Sequence, residues 1–101
     1  MQFLTLLRLR SEAAHRDIVT PELVRQEIDR VHELLDSGTV RKAWKRRDSV
    51  AIILLIEADS EDRCRSVLAT LPFSDAGVLE VEMIAPVEPY IDAFPVRARD
   101  G

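Results

Sequence analysis

Apolar positions recur along the chain in two rhythms, every second residue and every third to fourth, and the switches between them mark out the elements. Residues 2–9, QFLTLLRL, set Phe3, Thr5, Leu7 and Leu9 against Gln2, Leu4, Leu6 and Arg8. This predicts a strand whose faces are both mostly apolar and therefore both covered. Ser11–Val19 has no period and reads as a loop. Thr20-Pro21-Glu22 then supplies an N-cap hydroxyl, a proline where a missing N–H is harmless, and an acid at the positive end of the helix dipole. Val24, Ile28, Val31 and Leu35 follow at helical spacing with Leu34 beside them, and Gly38 ends the helix.

Thr39–Arg46 returns to alternation, with Val40, Lys42, Trp44 and Arg46 on one face and Thr39, Arg41, Ala43 and Lys45 on the other. A turn at Arg47-Asp48-Ser49 leads into the strand Val50–Glu57, in which Val50–Ile56 is apolar throughout. Asp59 or Ser60 caps a second helix whose buried stripe is Cys64, Val67, Leu68 and Leu71, and Pro72 closes it. Gly77–Ala85 is the fourth strand, with Leu79, Val81, Met83 and Ala85 opposed to Val78, Glu80, Glu82 and Ile84. From Pro86 onward three prolines accompany Tyr90, Ile91 and Phe94. Residues 87–101 are expected to form an extended arm on an apolar surface, fraying beyond Pro95, beside a domain of residues 1–86.

The order β-α-β-β-α-β predicts an α+β, ferredoxin-like sandwich: a four-stranded antiparallel sheet with the first and third strands central and two helices on one face. The helices cover one side of Val50–Ile56, yet neither side of that strand carries a polar residue. Each side chain of this size is worth roughly 1.5–3 kcal/mol when buried, so the far face needs a cover. A second copy related by a two-fold axis is the simplest one, giving a homodimeric α+β barrel.

At 101 residues the chain is long enough for one domain with a thin core. A net charge of −4 and a pI near 5.1 argue against a nucleic-acid partner, despite the cations at Arg41, Lys42, Lys45, Arg46 and Arg47. No apolar run is long enough to span a bilayer, so no membrane partner is expected. A single cysteine forms no disulfide within the chain and points to a reducing cytoplasm.

Gly38-Thr39-Val40-Arg41 with Trp44-Lys45, followed by Leu71-Pro72-Phe73, resembles the muconolactone isomerase family, small dimeric α+β barrels with a G-T-x-R-x-x-W-R segment and an L-P-L/F segment. The stretch LPFSDAGVLEVEMIAP is similar to a segment of YciI-like proteins, which share that fold. The resemblance implies cofactor-independent movement of a proton within a small lactone, and assembly as dimers or rings of dimers.

Polar side chains on the sheet are the first candidates for chemistry. Glu80 and Glu82 share a strand face, and Arg8 stands on the neighbouring strand. They form either a structural ion pair or a proton shuttle, with Arg8 or Arg41 holding a substrate carboxylate. Trp44 serves either dimer packing or stacking on a ligand. His15, in the first loop, is a further general-base candidate, whereas His32 is expected on the solvent side of its helix and Cys64 in the core. No cluster has metal-ligand spacing, and three glycines make no phosphate loop, so no cofactor is expected. The reading is an isomerase, cyclase or lyase acting by proton transfer on a small lactone or enolisable ring. The alternatives are a non-catalytic ligand-binding protein and a cofactor-free monooxygenase or polyketide cyclase.

Overall fold

The computed structural model describes residues 1–10 and 18–93. Its elements are β1 (Gln2–Leu9), α1 (Pro21–Asp36), β2 (Val40–Lys45), β3 (Ala51–Glu57), α2 (Glu61–Ala69), α3 (Pro72–Asp75), β4 (Leu79–Val87) and a 3-10 turn at Ile91–Ala93. The four strands form one antiparallel sheet in the order β2-β3-β1-β4, with β1 and β3 central as expected. His15, Phe94 and Pro95 lie outside the described residues.

Capping fixes the helix ends. Thr20 accepts the Leu23 N–H at 3.1 Å to start α1, and Ser60 accepts the Arg63 N–H at 3.1 Å to start α2. Gly38 leaves α1 at φ +81°, a conformation that a side chain would strain. Pro72 opens a further helix: it occupies the first position of α3, where no N–H is needed. The helical layer thus has three helices where the sequence predicts two.

The core lies between that layer and one face of the sheet. Phe3, Thr5 and Leu7 of β1 pair across with Ile56, Leu54 and Ile52 of β3, and this face meets Cys64, Val67, Leu68 and Leu71. Thr5 is fully buried and donates its hydroxyl to the Leu54 carbonyl at 2.9 Å, which meets its polar demand within the sheet. The opposite face carries Leu4, Leu6, Ile53 and Leu55, all partly exposed, together with Met83 at 40% and Trp44 at 48% exposure.

Strict alternation fails in both edge strands, each at one extra residue. In β2 the register slips at Arg41: Val40 pairs with Ile56 and Ala43 with Leu54, so these two face the core with Lys45, while Lys42 and Trp44 face the open side. In β4 it slips at Glu82: Leu79 and Val81 face the core, as does Ile84, while Met83 and Ala85 turn to the open side. A bulge inserts one unpaired residue and exchanges the faces beyond it.

Helix α1 is also rotated from the predicted stripe. Leu34 is buried and Leu23 and Val31 pack on the core, but Ile28 is 50% exposed and Leu35 is on the surface. The residue turned inward is Glu27, at 7% exposure. Hydrogen bonds from two helix residues set this rotation: Glu27 accepts the Phe73 N–H, and Arg30 donates to the Thr70 hydroxyl from Nε at 3.1 Å and Nη2 at 2.9 Å.

Candidate active site

Residues of α1 border an open pocket of about 310 Å³ between the helix and the β2–β3 edge. Glu27, Val31 and His32 line it from α1, Trp44 and Lys45 from β2, and Phe73 from α3. Ile52 and Leu54 form its floor. This is a largely apolar chamber at the small end of the range for ligand sites, with a few polar groups converging on it.

Glu27 is the most constrained of these groups. Its Oε1 accepts the Phe73 N–H at 2.9 Å, which satisfies a free donor in the first turn of α3. Its Oε2 is buried and has no hydrogen-bond partner among the described residues. Capping α3 accounts for one oxygen and leaves the other spare, since a shorter neutral acceptor would suffice for the cap. Burial pushes the Glu27 carboxyl above its ordinary value, and the hydrogen bond from Phe73 only partly offsets that. A carboxyl so placed is suited to accept a proton from carbon and return it.

The shift also links Glu27 to stability. A folded-state value above the unfolded value means that Glu27 favours folding most below about pH 4.5 and loses that contribution as pH rises through the raised value. Glu27→Gln keeps an acceptor for Phe73 and cannot ionise. Urea midpoints of the wild type and variant should therefore converge near pH 4 and separate by pH 8, the variant being the more stable there. A wild type more stable than the variant at pH 8 would show that burial does not dominate at this carboxyl.

The residues singled out from the sequence fall in three places. Arg8, Glu80 and Glu82 do come together, on the open face of the sheet: Arg8 Nε lies 3.1 Å from Glu80 Oε1, and its Nη1 lies 4.0 Å from Glu82 Oε1. Arg10 Nε stands 3.9 Å from the other Glu80 oxygen. Arg41, on its bulge, is 3.5 Å from Glu57. Trp44 alone of the set borders the chamber, and His15 lies outside the described residues. His32, assigned to solvent, is exposed but stands at the chamber rim. Cys64 is fully buried, and that burial raises its thiol, as befits a core residue.

Glu27 was not singled out from the sequence. A trace of it is legible there: the helix has a second row at the same spacing, Leu23, Glu27, Arg30 and Leu34, one residue behind the apolar row. Among the described residues no three His, Cys, Asp or Glu side chains gather closely enough to hold a metal ion, and no helix is long and apolar enough to cross a membrane.

The family model described as muconolactone delta-isomerase matches residues 1–92. The sequence matches none of the curated proteins with which it was compared. Among solved structures, the fold is similar to that of a 5-chloro-2-hydroxyhydroquinone dehydrochlorinase from Burkholderia phenoliruptrix, determined in complex with 2,5-dihydroxybenzoquinone. That likeness has a TM-score of 0.67 at 17% identity and covers 87% of this chain and 94% of the other, so it speaks for the fold alone.

Proposed function

Since the chain belongs to the muconolactone delta-isomerase family, we propose that it catalyses a proton shift within a small unsaturated lactone bound in the chamber beneath α1, with Glu27 as the proton carrier. The observation that carries this reading is the buried, unpartnered Oε2 of Glu27 at the wall of an apolar cavity. The carboxylate takes a proton from the ring carbon at the far end of the conjugated system, and the C–H electron pair moves through the double bond into a dienolate. Glu27 then returns a proton to the carbon next to the carbonyl. One C–H bond breaks, another forms, and the double bond moves without net oxidation or reduction. No cofactor enters these steps.

The other polar groups take subordinate roles. His32 at the rim is placed to contact the polar side of a ligand. Lys45, which makes no ion pair among the described residues, supplies a cation at the mouth. On the open face, Arg8 and Arg10 already pair with Glu80, and Arg8 also reaches Glu82. That cluster and Arg41 are assigned to the seam between subunits, where Leu4, Leu6, Ile53 and Leu55 would meet a two-fold copy in a homodimer. Tyr90 and Ile91, both largely exposed, extend the surface available to such a partner.

Incubation with muconolactone in deuterated water tests the reading. The expected result is incorporation of deuterium into ring C–H positions together with migration of the double bond, both followed by proton NMR. Ligand binding without exchange, across a panel of lactones, would instead support the non-catalytic alternative.

A further inference from the structure

The chamber does not end at Phe73. A second cavity of about 240 Å³, walled by Val19, Val78 and Leu79, shares Phe73, Ile52 and Lys45 with the first. Lys45 is the one charged residue among its described lining residues. Water gains little in an apolar space of this kind, so an apolar group entering it is favoured by its full transfer free energy. The partition is fixed relative to the proposed base, because the Phe73 backbone N–H is the group that Glu27 holds at 2.9 Å. Lys45 stands on the shared wall with its ammonium donating to the Arg46 carbonyl at 3.4 Å, which keeps the polar end of a ligand at the rim.

We infer that the second cavity is a subsite for an apolar substituent carried by the ring bound beside Glu27, and that Phe73 sets the size of substituent admitted. This inference rests on the assignment of the first cavity as the ring chamber. It adds a substrate preference: lactones bearing an alkyl branch are bound better than the bare ring, with the branch directed past Phe73 toward Val78.

The test uses saturated γ-lactones with side chains from methyl to hexyl, which bind without reacting. Isothermal titration calorimetry reports occupancy. The dissociation constant should fall about fourfold per added methylene over the first members of the series. Val19→Phe, which fills the second cavity from its outer wall, should flatten that dependence. Phe73→Ala, which removes the partition, should extend it to branched chains. Thermal melts establish that both variants are folded.

A wild type whose affinity ignores chain length would overturn the inference, as would an undiminished dependence in folded Val19→Phe. Glu27→Gln separates the two readings: loss of deuterium exchange with the chain-length dependence intact supports both. A flat series in an enzyme that still exchanges protons removes the subsite alone, whereas failure of every lactone to bind removes the ring chamber and the subsite with it.

Discussion

Glu27→Gln is expected to lower turnover of a lactone substrate about a hundred- to ten-thousandfold, the range associated with loss of a positioned general base, while lactone affinity changes little. The amide can accept the Phe73 N–H as the carboxylate does, so α3 stays capped and the chamber keeps its shape. What disappears is the basic oxygen. In the wild type kcat/KM should rise with pH as Glu27 loses its proton, with an inflection above the ordinary carboxyl value because burial raises it. The variant should lack that rise. If Glu27→Gln retained full turnover while Glu80→Gln combined with Glu82→Gln abolished it, the chemistry would belong to the open face of the sheet instead.

The second large effect concerns that open face. Leu4 lies in the middle of it, paired with Leu55 on β3 and Ala85 on β4, both apolar. Leu4→Asp would place a carboxylate, without a cation opposite, in the proposed seam, and an uncompensated buried charge costs on the order of 3–5 kcal/mol. The two-fold axis places the substitution in both subunits, so association should weaken a thousandfold or more. Sedimentation should show a wild type of at least twice the chain mass at micromolar concentration and a Leu4→Asp variant at the mass of one chain. A wild type that sediments as a single chain would leave the apolar face without its proposed cover.

The large features of the fold were legible because they follow from burial periodicity. The apolar run at Val50–Ile56 marked β3 as a central strand, and the caps at Thr20 and Ser60 placed the helix starts. The bulges were not legible, although each leaves a mark: Val40 and Ala43 in β2, and Val81 and Ile84 in β4, are core-facing residues three apart where a regular strand would place them two or four apart. A single inserted residue changes the faces without changing the composition, so a period of two fits the sequence almost as well.

The site was harder to read than the fold. Helix α1 carries two rows at the same spacing, and the more apolar one, Val24, Ile28, Val31 and Leu35, looks like the buried one. Hydrophobic content alone selects it. The rotation observed instead depends on Phe73 and Thr70, roughly forty residues away in the sequence. Glu27 is flanked on the helix surface by Leu23, Val24, Ile28 and Val31, and a carboxylate within an apolar arc is the feature that would have pointed to it. Arg8, Glu80 and Glu82 were correctly read as neighbours because a cross-strand pairing follows from strand order. Arg8 and Glu80 pair regularly on the open side, and only the face of Glu82 depends on the bulge.

The central claim, that chemistry takes place between α1 and the sheet, is tested most directly by a crystal structure with a saturated lactone bound. The ring should lie over Ile52 and Leu54 with the carbon next to its carbonyl about 3–3.5 Å from Glu27 Oε2, the separation expected of reacting atoms held for attack. A lactone seated on the opposite face, against Arg8, Glu80 and Glu82, with the chamber beneath α1 empty, would contradict it.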